Sequence, residues 1–448
     1  MKPLVTRLII SVLALATILW WFSGSHSFPP VTIFSAIIIF FSLLLAAQSV
    51  VTLLWMLYTW EDRTKVGEYR SPESFASPRY SFTAFLPARH EEKVIKDTIE
   101  AIDRINYPSQ LKEILVICRS DDTGTIAKAR ETIRGLDSPH IQLVIFDDLP
   151  INKPHGLNKG LKEAKNEIVA IFDAEDEPHP DIYQIVNTVL IRDKADVVQS
   201  GVQLMNFRSY WFSSLNVLEY FFWFKSGLHF FTNVGKVCPL GGNTVFFKKD
   251  WLEKIDGWDE SCLTEDADAG IRLTLAGAKI KVIYDENHVT QEETPHNVKS
   301  FVKQRTRWNQ GFLQIFRKKD WLQLPSLRQK LMTIYVLLSP EISAFLFFYI
   351  PLALLVAFTQ KLPVFVSFLS YIPLYLFIFQ LIVCGIGIYE FTKTYQLESP
   401  FWMPFKVMLS FYPYQLLLMF SSFRAGYRML VNQIGWEKTS HTNIHRQK

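Results

Sequence analysis

Apolar positions along this chain follow two regimes. Toward both ends they continue for about twenty residues or more, at 4–22, 32–58, 331–358, 364–389 and about 403–423. Each such run is long enough to cross a hydrocarbon core about 30 Å thick. Between about 80 and 320 the apolar runs are only about five residues long and alternate with stretches of helical spacing. Runs of that second kind read as strands buried on both faces, and the alternation predicts a mostly parallel sheet covered by helices.

Taken in order, strands are predicted at 82–86, 114–118, 142–146, 168–172 and 196–203. The intervening helices are a first one reaching about Ile105, then 126–136 and 154–165. The right-handed crossover rule makes this a nucleotide-binding type of α/β fold, whose ligands lie beyond the carboxyl ends of the strands. The segment 208–231, dense in Trp, Tyr and Phe, reads as a core helix or as a helix lying at a membrane surface. A loop at 239–244 contains Gly241-Gly242, where backbone can approach a ligand. Thr264 is the expected N-cap of a helix that runs to about Ala276. An amphipathic helix is expected at 297–320, with Phe301, Trp308, Phe312 and Ile315 at helical spacing.

The chemistry concentrates behind the fourth strand. Asp173, Glu175, Asp176 and Glu177 fall within five positions, and Pro178 and Pro180 end the segment. Acids at a strand end repel one another unless a cation or a donor lies between them. Hard oxygen ligands there suit Mg²⁺ or Mn²⁺ serving a diphosphate leaving group. Taken alone, the segment reads equally as a solvated acidic turn.

Composition adjusts this picture in three ways. The mean hydropathy is +0.11 although a fifth of the residues are charged, as expected for apolar spans around a polar domain. The net charge is only +4 and the basic residues form no long run, so a nucleic-acid partner is not expected. Cys118, Cys238, Cys262 and Cys384 have neither zinc spacing nor a disulfide framework, which fits a reducing compartment. Lys2 precedes the first apolar run and Arg63, Lys65 and Arg70 follow the second, while the loop 23–30 between them has no Lys or Arg. The positive-inside rule then places the polar domain and the basic tail in the cytoplasm of a multi-pass protein of the inner or plasma membrane. Three full spans after that domain would put the tail outside, so one of the late runs, preferably the last, is expected to be interfacial or re-entrant.

Seven segments, read together, resemble the membrane-embedded family-2 glycosyltransferases, which include cellulose and hyaluronan synthases. They are Pro87-Ala-Arg-His-Glu91, Asp121-Asp122, Lys153-Pro-His-Gly-Leu-Asn158, Asp173-Ala-Glu-Asp176, Gly241-Gly-Asn243, Thr264-Glu-Asp266 and Gln304-Arg-Thr-Arg-Trp308. The resemblance covers about 80–320, and the tail Trp436-Glu-Lys-Thr439 looks like the end of bacterial exopolysaccharide-type members. It implies a GT-A domain at 81–322, set between two N-terminal spans within 1–60 plus a linker at 61–80, and C-terminal spanning or interfacial helices at 323–432 with a cytoplasmic tail at 433–448. The implied activity is inverting, metal-dependent elongation of a β-linked polysaccharide from a UDP- or GDP-linked sugar, processive and coupled to export through the bilayer.

The roles implied are these. Ala88, Glu91 and one of Asp121 or Asp122 would hold the base and ribose. Lys153 would face the diphosphate beside Gly242. Asp173 and Glu175 would occupy the metal-holding positions, although the family has Asp where Glu175 stands, which leaves Asp176 as an alternative ligand. Asp266 would be the general base, with Glu265 beside it in the catalytic centre. Gln304, Arg305, Arg307 and Trp308 would bind substrate, the arginines at the leaving diphosphate and the indole against an acceptor sugar. Two other readings remain: transfer of a single sugar to a lipid carrier, and a transporter carrying an inactive domain. Arg424-Ala-Gly-Tyr-Arg428 matches a cyclic-dinucleotide pattern of cellulose synthases, but too little chain follows for the barrel it needs, so a cationic membrane-edge helix is expected there.

Overall fold

The structure is a computed structural model that describes residues 30–60, 67–359, 364–433, 435 and 437. The first apolar run, at 4–22, and most of the tail motif at 436–439 lie outside the described residues. The chain divides into two compact units. One takes in the residues up to Val50 together with Leu346–Phe379, and the other Val51–Phe345 together with the residues from Gln380 on.

Helix α1 (Pro30–Leu57) opens the described chain. The α/β alternation follows, with β1 (Phe82–Ala88), α2 (Ile95–Asp103), β2 (Lys112–Arg119), α3 (Thr123–Leu136), β3 (Ile141–Phe146), α4 (Lys153–Glu163), β4 (Ile168–Ile171) and α5 (Ile182–Asp193). Next come β5 (Val197–Gln199), β6 (Val202–Leu204), α6 (Ser213–Phe222), β7 (Val245–Lys248), α7 (Lys249–Lys254), α8 (Glu265–Ala276), β8 (Ile280–Val282), β9 (Thr290–Glu292) and α9 (Val298–Lys318). The chain closes with α10 (Leu327–Thr359), α11 (Val364–Thr394) and α12 (Met403–Leu430).

The main sheet has seven strands in the order β3-β2-β1-β4-β7-β5-β8. It is parallel except at β7, which runs against both β4 and β5. Phe82 and Tyr183 stack at 4.4 Å in its core, with Phe246 edge-on to both. Two expectations change here. The strand predicted at 196–203 breaks at Ser200-Gly201: β5 stays in the main sheet and β6 pairs with β9. A side chain at Gly201 would lie 2.7 Å from the Tyr284 ring, so the backbone turns where only glycine fits. Strand β7 was not foreseen, because its Val-Phe-Phe-Lys is too short to carry a period.

The aromatic segment is core. Phe212, Phe221, Phe224 and Phe231 are buried, and α6 continues through π-turns at Trp223–Gly227 and Phe231–Gly235. All four cysteines are free and buried. Thr264 precedes α8 without a side-chain capping bond, contrary to expectation, whereas Asn297 caps α9 through the Ser300 N–H at 2.8 Å.

Among the described residues, three helices are long and apolar enough to cross a membrane: Ser35–Leu57, Leu327–Val356 and Val364–Thr394. In the smaller unit Ile38 packs with Val356 and Val366, and Ser42 bonds Tyr349. Helix α12 differs from these three. Phe405, Leu409, Tyr412, Phe420, Phe423 and Tyr427 form an exposed apolar stripe, while Val407, Tyr414, Ala425 and Arg428 are buried. Its buried side meets α9, where Asn309 bonds Ser422 and Arg428 bonds Gln310 Oε1 at 2.8 Å. Arg424 holds Glu437 with two bonds of 2.6 and 2.7 Å, so this arginine pair makes internal ties and is not a free cationic edge.

Helix α9 comes close to the loop before α8 at Gly311. A Cβ there would lie 2.7 Å from the Thr264 backbone nitrogen and closer still to its hydroxyl. Gly311→Ala should therefore push the two elements apart and cost about 1–3 kcal/mol, as overpacking does. A lowered melting temperature of the detergent-solubilised variant checks this; an unchanged one contradicts the close approach.

Candidate active site

Parallel pairing brings the carboxyl ends of β1, β2 and β4 to one edge of the sheet. Strand β7, being antiparallel, begins where β4 ends: Ile171 pairs with Val245, and the Thr244 N–H bonds the Ile171 carbonyl at 2.7 Å. This reversal carries the loop 239–244 to the acids that follow β4. Gln199, fully buried at the end of β5, pins that loop by accepting from the Gly241 N–H and donating to the Asn243 carbonyl.

Lys153 occupies the first turn of α4, capped by Asn152 through the His155 N–H. Its ammonium lies 2.5 Å from Asp173 Oδ1 and 2.9 Å from the Gly242 carbonyl oxygen. A Cβ at Gly242 would sit 3.1 Å from Asp266 Oδ2 and 3.5 Å from Lys153 Nζ. Four distant segments thus converge within a few ångströms: the end of β4, the start of α4, the glycine loop and the start of α8. Helix α4 is aimed from behind. Asn158 exchanges hydrogen bonds with the Trp258 backbone, and His155 Nδ1 meets Glu260 Oε2 at 2.8 Å. The segment Asp256-Gly-Trp-Asp259, whose first two residues have positive φ, is therefore the turn that seats α4.

The electrostatics follow from this crowding. Burial would lower the Lys153 pKa, but Asp173 and Glu265 outweigh it and hold the lysine above its ordinary value. Burial and then the Asp266 charge push Glu265 up to about 7. Burial also raises Asp266, against the Ala267 N–H and Lys153, which favour its charged form. Burial and Asp173 push Glu175 up to about 8 and hold Asp176 well above the carboxylate range. Glu292 of β9 belongs to the same group: burial, with Glu175 and Asp176 nearby, holds its pKa well above the usual range. The sequence reading missed Glu292, whose signal is the unusual run Gln291-Glu292-Glu293 on a strand that faces the acids through the Glu177–Gln291 bridge.

The predicted residues separate into several roles by contact. Asp176 is fully buried, and its two oxygens accept from the Asp173 N–H and the Asn243 amide, both at 2.8 Å. Asp122 is likewise spent on backbone, accepting from the His90 and Thr125 N–H groups, while Asp121 lies at the surface between Arg89 and Arg119. Ala88 and Glu91 are buried at the mouth of β1, with the Glu91 N–H on Thr125. On α9, Gln304 is buried with no hydrogen-bond partner for its Oε1 among the described residues. Arg307 acts electrostatically on Glu265 and Asp266. Arg305 does not join that group: it is ion-paired with Glu219 of α6 and lies over the Trp308 ring at 4.5 Å.

Among the described residues, no three His, Cys, Asp or Glu side chains form a ready coordination shell. A hard divalent cation would nevertheless suit this donor set: the carboxylates of Glu175 and Glu292 are buried beside Asp173, and burial and neighbouring acids raise them in spite of Lys153.

Residues 78–311 match the family described as "Glycosyltransferase like family 2". The "Probable glycosyltransferase YdaM" of Bacillus subtilis is 26% identical over 379 residues, 81% of this chain and 87% of that protein. A "Poly-beta-1,6-N-acetyl-D-glucosamine synthase" of Staphylococcus epidermidis is 26% identical over 60% of this chain and 63% of its own, so the match spans less than two thirds of that relative. Among solved structures, the mannosyltransferase PcManGT from Pyrobaculum calidifontis, in complex with GDP-Man and Mn²⁺, is 18% identical with a TM-score of 0.48, covering 87% of this chain and 99% of its own.

Proposed function

The chain belongs to glycosyltransferase-like family 2, and we propose that it elongates a β-linked polysaccharide from a nucleotide-diphosphate sugar, with inversion at the transferred carbon. The observation that carries this reading is the placement of Lys153 between Asp173 and the Gly242 carbonyl, with Asp266 beside the same glycine. A lysine at a helix start suits a diphosphate, and a carboxylate a few ångströms away suits the proton of an incoming hydroxyl. Relatives named as poly-β-1,6-N-acetylglucosamine synthases support the polymer over a single transfer.

Ala88, Glu91 and Asp121 line the base and ribose end, Asp121 being the more exposed of the two adjacent aspartates. Asp173 and Glu175 would hold the cation, Mg²⁺ or Mn²⁺. Asp176 braces their loop, since both its oxygens are already engaged. When bound, that cation neutralises charge on the departing diphosphate. Lys153 and Arg307 face the same leaving group. Asp266 takes the proton as the acceptor hydroxyl attacks, and Glu265 and Arg307 set its charge environment. Trp308 offers its ring to the acceptor sugar. The three apolar helices span the membrane, α12 lies along its surface with the exposed stripe in lipid, and the catalytic domain faces the cytoplasm.

Purified protein incubated with UDP-glucose, UDP-N-acetylglucosamine and GDP-mannose in turn is expected to consume one donor and build a long product. A single sugar on a lipid would favour the non-processive alternative, and inertness toward all donors would refute the reading. Asp266→Asn should lower transfer about 10²–10⁴-fold while donor binding persists, because the amide cannot accept a proton. With the Asp266 pKa raised mainly by burial, the wild-type rate should fall with decreasing pH at values above those of an ordinary aspartate, since only the ionised form is a base. Activity should also require Mg²⁺ or Mn²⁺ and vanish in Asp173→Ala; full turnover in excess chelator would remove the metal from the scheme.

A further inference from the structure

Arg305 stands two positions before Arg307 in the same motif, yet its contacts lead away from the acids. Its guanidinium is ion-paired with Glu219 Oε2 on α6. The same oxygen accepts a hydrogen bond of 2.6 Å from the Tyr414 hydroxyl on α12, and Tyr414 is only 1% exposed. From this anchorage the guanidinium carbon lies 4.5 Å from the centre of the Trp308 ring and 5.1 Å from that of Phe301. Phe301 in turn packs on Tyr414 at 5.3 Å, and Tyr220, next to Glu219, borders Trp308 at 6.4 Å.

We propose that Glu219 and Tyr414 are positioning residues, which fix Arg305 so that it holds the Trp308 indole in the plane an acceptor sugar stacks against. The inference rests on the acceptor role given to Trp308 above. A guanidinium attracts the face of an indole and can lie flat on it, whereas an ammonium is a point charge with no plane to match. The contact orients the ring only if the arginine is itself held. Glu219 supplies the opposing charge, and Tyr414, rigid and buried, keeps the carboxylate from turning to water. Without Glu219 the guanidinium is left largely buried and unpaired, and the ring loses its backing.

The test uses the full-length protein in detergent, as wild type and as Glu219→Gln, Tyr414→Phe, Arg305→Lys, Trp308→Ala and the double variant Glu219→Gln/Trp308→Ala. Two readouts are taken: donor hydrolysis against transfer to an added oligosaccharide, and the ¹⁹F spectrum of 5-fluorotryptophan protein with the Trp308 line assigned by its loss in Trp308→Phe. Glu219→Gln and Arg305→Lys are expected to raise the acceptor KM about ten- to a hundredfold, the scale of a misplaced binding group, while donor KM and hydrolysis by the folded protein stay as in wild type; the melting temperature falls in Glu219→Gln, which leaves a guanidinium unpaired. Tyr414→Phe should move the same quantities less. The Trp308 line should shift or broaden in each. The double variant should lose no more than Trp308→Ala alone, because the two residues act through one contact. A parallel fall of hydrolysis and transfer with a lowered melting temperature would mean that the network merely supports the fold. An unmoved Trp308 line in Glu219→Gln, or additive losses in the double variant, would also overturn the proposal. Should wild-type protein turn over no nucleotide sugar, the functional reading itself falls, and the fluorine line still decides whether Glu219 holds the ring.

Discussion

The ammonium of Lys153 is the charge on which this site depends. Asp173, Glu265 and Asp266 all act on it directly, and Glu175 and Glu292 stand close enough to feel both it and one another. Carboxylates at this density and depth cannot all ionise without a cation among them. Burial raises Glu175, Glu265 and Asp266 in spite of that lysine, and in spite of Arg307 at the latter two. The remaining deficit gives the site its use. A divalent ion would stabilise the acids after β4, and on the proposed reading a base raised by burial is better matched to a sugar hydroxyl than an ordinary aspartate. Much of the surrounding structure aims that lysine: the Asn152 cap, the Asn158 clasp on Trp258, and the carbonyl of Gly242.

The fold was legible wherever local pattern and tertiary demand agree. The five-residue apolar runs at β1, β2 and β4 sit on strands buried on both faces, whereas β3, at the edge of the sheet, leaves Gln142 and Ile145 exposed. Legibility failed where long-range contact dictates the backbone. Strand β7 exists because β4 and β5 need a partner between them, a reason absent from its own four residues. The split at Gly201 comes from the Tyr284 ring, more than eighty positions downstream. Thr264 has the composition of a cap, but Gly311 brings α9 against it and its hydroxyl is turned to that contact.

Within the site, residue type was legible and duty was not. Asp173, Lys153, Gly242 and Asp266 were each expected near substrate, and the structure brings them together. Adjacent acids that look equivalent in the sequence separate by hydrogen bonding. Asp176 and Asp122 hold backbone N–H groups, while their neighbours Glu175 and Asp121 do not make those bonds. Glu219 gave no sign at all in the sequence, being one acid in an aromatic helix. Its partners, Arg305 and Tyr414, lie on two other helices far along the chain.

The two arginines of Gln304-Arg-Thr-Arg-Trp308 show why a linear motif overcounts. Residues two apart on a helix are separated by about 200° and point to opposite sides. Arg305 and Arg307 therefore leave α9 on opposite sides, and their partners differ. Gln304, Arg307 and Gly311 recur at i, i+3 and i+7 on a single face, and Gly311 fixes which face it is by touching Thr264, one residue before Glu265. Arg307 is thereby turned to the acids of α8 and Arg305 to Glu219 on α6. Trp308 lies one step round from both, with the guanidinium of Arg305 and the ring of Tyr220 behind it. Helix geometry thus partitions the pentapeptide: Arg307 acts on the acids of α8, and Arg305 is held by Glu219 against the indole of Trp308.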